Sequence, residues 1–205
     1  MTEPARRRGR PPRARQDAGP GMRERILDVA REEFAERGYD KASVRGIAKA
    51  AGVDSALVHH YFGTKEQVFA ASIEVALAPA LKAPAALSDG PLDEVGERMT
   101  RFFFGVWESP ETRVPLLAIL RSAVNNDVAA GVLRRLIASR LLASIAERLD
   151  LPKDEAELRV SLAAAQLMGA AMVRYVMRVE PIASADPERI IARIAPVVQL
   201  HLTGP

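Results

Sequence analysis

The chain has 205 residues, with 29 Lys and Arg against 26 Asp and Glu, and no cysteine. That length suits one domain or two small ones with a real core. The missing thiols exclude disulfides and cysteine-based zinc or redox chemistry. Ala and Leu dominate and no Val/Ile/Thr-rich alternating run stands out, which predicts an all-α fold of about nine helices. Residues 1–21 hold six Arg against Glu3 and Asp17, whereas the other 184 residues carry 23 basic and 24 acidic groups. The basic character therefore belongs to the N-terminal arm, a footprint for polyanions. No signal-peptide h-region is visible, and the apolar stretch Val160–Val173 is shorter than the ~20 residues that span a bilayer. A cytoplasmic location is expected.

The Pro-, Gly- and Arg-rich arm, 1–21, has almost nothing to bury and is expected to be disordered. Within it, Arg8-Gly9-Arg10-Pro11 resembles an AT-hook, in which Arg8 and Arg10 would enter a narrow minor groove; a solvated basic tail fits the same residues. A first helix is predicted from about Met22 to Arg37. Ile26, Ala30 and Phe34 form its inner stripe, and Gly38 stops it.

Ser43 caps a short helix, Val44–Ala51, whose inner face is marked by Ile47 and Ala51. Gly52 ends it, and Asp54 caps a second helix running to about Tyr61. Val58 and Phe62 face inward with Val53, leaving Ser55, Ala56, His59 and His60 outside. This is a helix–turn–helix whose second helix has the size and exposure to enter a major groove. Pairs of short helices around a glycine also occur in proteins that never touch DNA. If it does bind, Arg45 offers a bidentate fork to guanine. Ser55 and Ala56 lie where base edges come closest, and His59 can bond a base edge or a phosphate. Ser43, His60, Tyr61 and Lys65 suit phosphate contacts, which position without specifying sequence.

Thr64 and Gln67 form a capping box for the next helix, which runs to about Ala78 before Pro79. A loose connector is expected over 80–90. Further helices are predicted over Leu92–Trp107, Pro115–Val124, Asp127–Leu149, from Pro152 to about Val179, and from Asp186-Pro187 to about Leu202 with a bend at Pro196. Phe102, Phe103, Trp107, Leu117, Leu120, Met168 and Met172 are candidates for an adaptable apolar cavity, although an ordinary core or surface role fits each of them as well. Arg121, Asn125, Gln166 and Tyr175 are candidates to fix a polar group there. The last two helices carry small residues (Ala163–Ala165, Gly169–Ala171) and an apolar face (Ile190, Ile191, Ile194, Val197, Val198). They form either core or an interface between two copies.

The segments Arg25–Tyr39, Ser43–Ala48, Ala51–Val53 and Tyr61–Glu66 together closely resemble the DNA-binding domain of the tetracycline-repressor (TetR) family, over about Met22–Phe69. The resemblance implies a DNA-binding domain at 22–69 and a helical ligand-binding and dimerisation domain at 70–205. It implies a homodimeric repressor of a double-stranded inverted-repeat operator, released by a small apolar effector, with helices 152–179 and 186–202 pairing against their mates. It places a base contact at Arg45, and usually Tyr where this chain has His59. Only three histidines exist, and the adjacent His59 and His60 diverge by ~100° on a helix. No nucleophile–base pair, metal set or cofactor motif is visible, so no enzyme is expected. A sequence-indifferent DNA binder working through the arm is the rival reading.

Overall fold

The structure, a computed structural model, describes residues 20–88 and 90–204. Arg8 and Arg10 lie outside the described residues. Among those residues every regular element is helical, and no strand occurs.

Helix α1 (Pro20–Lys41) buries Ile26, Ala30 and Phe34, the predicted stripe, and kinks at Gly38, where φ is 70°. Helix α2 (Val44–Ala51) starts where the Ser43 hydroxyl accepts from the Gly46 amide at 3.0 Å, and ends at Gly52 in the left-handed region. Helix α3 (Ser55–Phe62) starts where Asp54 accepts from the Ala56 amide at 2.8 Å. Helix α4 (Lys65–Leu77) opens with both halves of the Thr64–Gln67 capping box in place. Ile47 and Val58 are fully buried and hold α2 and α3 against α1 and α4. Phe69 meets Phe34 and Tyr39 edge-on, with centroids at 4.8 and 4.9 Å. Such pairs contribute ~0.5–1.5 kcal/mol each beyond area burial. Phe62, expected in this core, is only half-buried and lies under the Arg23 guanidinium.

The expected loose connector is instead a 3-10 turn, Ala80–Lys82, running into α5 (Ala83–Ser88). Its alanines favour helix, and Pro79 and Pro84 sit near helix starts, where no amide is needed. Helix α6 (Val95–Glu108) follows. Helix α7 (Pro110–Asn125) begins five residues before the expected Pro115, because Pro110 takes the first helical position. Helix α8 (Asp127–Leu136) continues through a π segment, Ile137–Leu142, into α9 (Ala143–Ala146). Helix α10 (Lys153–Ala171) likewise ends in a π segment, Met172–Val176, and α11 (Pro187–Thr203) is the last helix among the described residues. The α6–α11 pair is the most extensive helix contact, with α10 packed beside it.

Together α10 and its π segment make 24 continuous helical residues, long and apolar enough by length and composition to cross a membrane. The shorter apolar stretch read from sequence underestimates this helix. Part of its apolar character lies on an outward face at Leu158 and Leu162.

Candidate nucleic-acid interface and apolar cavity

Burying Val58 fixes the rotation of α3, and that rotation leaves Ala56, His59 and His60 exposed with Ser55 half-exposed beside them. Arg45 is exposed on α2 and forms no ion pair among the described residues. Ser43 is exposed, with its hydroxyl already accepting from Gly46. His59 Nδ1 lies 2.7 Å from the Gly63 carbonyl oxygen.

Of the residues expected at phosphates, Tyr61 is hidden and Lys65 is already engaged. The Tyr61 hydroxyl is buried and has no hydrogen-bond partner, so it does not face solvent in this conformation. Lys65 Nζ donates to the Asp40 carbonyl at 3.2 Å and sits 4.5 Å over the Tyr39 ring. An ammonium has three donors, and these contacts leave capacity for a phosphate. Lys65→Ala is expected to weaken binding to all duplexes alike and to lower the salt slope by about one per protomer. Titrations at several salt concentrations on specific and random duplexes check this.

A cavity of about 330 Å3 lies in the C-terminal part of the chain. Phe102, Phe103, Trp107 and Met168 line it, joined by Leu116, Val160, Val198 and Leu202. Leu117, Leu120 and Met172 do not. Helix α7 turns Leu116 and Ile119 inward, leaving Leu117 and Leu120 half-buried against other neighbours, and Met172 stands at the head of the second π segment. Of the polar candidates, Arg121, Asn125 and Gln166 are exposed. Tyr175 is buried beside the cavity, stacked on Trp107 at 5.5 Å, but its hydroxyl donates to Glu108 at 2.8 Å. Burial, and then Glu108, push the Tyr175 phenol far up. Glu108 also accepts from Arg174, whose guanidinium donates to the Ile182 and Ala185 carbonyls. This part-buried latch was not visible in the sequence, because its partners are 66 and 67 residues apart. Among the described residues, Ser161 is the one hydroxyl on the cavity wall, and it donates to the Glu157 carbonyl.

Sequence reasoning also missed two parts of the wall. The first π segment supplies Ile137, Leu141 and Leu142, and Leu77 comes from the last turn of α4. Inserted π turns recur at functional sites, but no residue pattern announces them. At the seam where α8 packs on α4, Asn126 Nδ2 donates to Asp40 Oδ1 of α1 at 2.6 Å while its Oδ1 caps α8 at Ala129. Arg135 pairs with Glu66 at 2.5 Å and Arg140 with Glu74 at 3.3 Å.

An exposed helix–turn–helix in front of a helical body with an apolar cavity defines a class of DNA-binding regulator. Residues 26–72 match the family model of bacterial regulatory proteins, tetR family, and residues 93–202 match that of the tetracyclin repressor-like C-terminal domain. The chain is 30% identical over 178 residues to the HTH-type transcriptional regulator BetI of Agrobacterium fabrum, covering 84% of this chain and 85% of BetI. It is similar to the crystal structure of a TetR-family regulator from Streptomyces coelicolor A3, with TM-score 0.68 and 39% identity, covering 90% of this chain and 98% of that one. It shares its fold with the multidrug binding protein EbrR complexed with imidazole, at TM-score 0.64 and 22% identity over 91% of this chain and 93% of that one. The chain belongs to the tetracycline-repressor family. It is a transcriptional regulator, and its matches are regulators rather than enzymes.

Proposed function

We propose that the protein is a homodimeric repressor that binds an inverted-repeat operator through two copies of α3 and leaves it when a neutral apolar molecule fills the cavity. The observation that carries this reading is the position of α4. Its first residue is Lys65, beside the candidate DNA face, and its last, Leu77, is part of the cavity wall. A ligand pressing on Leu77 therefore bears on the helix that positions the reader. A coupling of ~1–3 kcal/mol suffices to empty the operator.

The dimer reading rests on α10 and α11, which pack together and leave Leu158 (55% exposed), Leu162 (43%) and Leu200 (60%) facing outward. One helix–turn–helix buries too little surface for tight specific binding, and a twofold pair reads two half-sites ~34–36 Å apart when one helical turn separates them. Candidate DNA contacts are Arg45, Ser55, Ala56 and His59 at bases, with Ser43, His60 and Lys65 at phosphates. Work in the cytoplasm follows from this role.

The test is a gel shift on the selected operator against excess random duplex, repeated across a panel of uncharged apolar compounds. Retention against competitor and release by at least one compound are expected. Loss to competitor would favour the sequence-indifferent binder, and a complex unmoved by every compound would remove the effector from the reading.

The seam allows a sharper check. Asn126→Asp keeps the oxygen that caps α8 but places a carboxylate against Asp40, whose carbonyl holds Lys65. Operator affinity is expected to fall about two- to tenfold, the worth of one hydrogen bond. Anisotropy should record that loss, while calorimetry finds effector affinity unchanged.

A further inference from the structure

The contact between His59 and Gly63 decides which hydrogen-bonding face the candidate recognition helix shows. A carbonyl oxygen can only accept, so the 2.7 Å contact requires the proton on Nδ1. The neutral ring then carries a bare lone pair at Nε2. Gly63 makes this possible. Its φ of 83° and ψ of −119° turn the carbonyl back toward the helix, a conformation that L side chains rarely adopt. A Cβ there would also lie 2.1 Å from Gln67 Oε1, which is held by the capping-box bond to the Thr64 amide. The α4 capping box and the α3 terminus thus fix the His59 tautomer together. His59 is exposed, one turn after Ser55 on the outer face.

We infer that His59 is a specificity-determining residue that accepts a hydrogen bond at Nε2 from an exocyclic base amine, adenine N6 or cytosine N4, in the major groove. An acceptor at this point repels a phosphate oxygen as well as guanine O6 and N7 and thymine O4, so it selects for an amine and against the other bases. The inference rests on the reading of α3 as the helix that enters the groove.

The experiment uses the full chain at pH 8 and the operator obtained from a random pool. Adenines and cytosines of one half-site are replaced one at a time by analogues lacking the exocyclic amine. Each duplex is titrated with wild type and with His59→Phe, which keeps a ring and removes the acceptor. One position is expected to cost wild type about three- to tenfold in affinity and to cost His59→Phe nothing. Gly63→Ala, whose carbonyl cannot hold this orientation, should shrink that same penalty while leaving the penalties at other positions intact. The absence of any position whose penalty disappears in His59→Phe overturns the inference while leaving the regulator reading intact. A pool that yields no operator shows before the analogue step and overturns both.

Discussion

Arg45→Ala is expected to lower affinity for the operator by about 2–6 kcal/mol, with a much smaller loss on random duplex. The figure follows from ~1–3 kcal/mol for a bidentate arginine–guanine contact, made once in each half-site of a twofold pair. The structure favours this use of the residue on two counts. Helix α2 is held rigidly, with Ile47 and Ala51 fully buried and Ser43 capping its start, so Arg45 projects from a fixed base. Its guanidinium has no carboxylate partner among the described residues, so no ion pair must break on binding. Because Arg45 is exposed, the thermal midpoint should stay where it is, separating lost reading from lost folding. Anisotropy titrations on both duplexes at one salt concentration give the answer. Equal losses on the two would make Arg45 a phosphate contact.

Gly96→Ala is expected to destabilise the fold by about 3 kcal/mol, at the upper end for overpacking. A Cβ on Gly96 would lie 2.5 Å from both the Ala195 carbonyl oxygen and the Gln199 amide nitrogen. Both are backbone atoms of α11 and cannot swing aside as a flexible side chain would. The two helices must part, and with them the bonds from the Gly96 amide to Gln199 Oε1 (2.7 Å) and from Gln199 Nε2 to the Leu92 carbonyl (2.8 Å). Helix propensity alone would favour Ala by ~1 kcal/mol, so the sign of the change decides which effect wins. For a chain of this size the midpoint should fall by roughly 6–12 °C. Because α6 also carries Phe102, Phe103 and Trp107, effector binding should weaken as well. An unchanged or raised midpoint would show that α6 and α11 do not approach this closely.

The N-terminal unit was legible in the sequence because its determinants are local. Ser43, Gly52, Asp54 and the Thr64–Gln67 pair each act within four residues, and the structure realises each as a cap or stop. The stripe of α1 lies within one helix and could be read the same way. The C-terminal part depends on contacts far apart in the chain. Leu116 rather than Leu117 meets the cavity because neighbouring helices set the rotation of α7. The start of α7 was missed because Pro115, read as a helix opener, is tolerated inside it. The two π segments, the Glu108–Arg174 latch and the Asn126–Asp40 bond leave no periodic trace. At the candidate interface, exposure of Arg45 and His59 followed from helix phase, but the hidden Tyr61 hydroxyl and the tethered Lys65 ammonium depend on packing that a sequence does not display.

The arrangement of two outward α3 helices on a twofold pair is tested most directly by selecting bound duplexes from a random pool at moderate salt and weighing the complex that forms. Enrichment of one sequence with two inverted halves, carried by an even number of protomers, is the expected result. A pool that stays random, or a single unrepeated site held by one protomer, would contradict it.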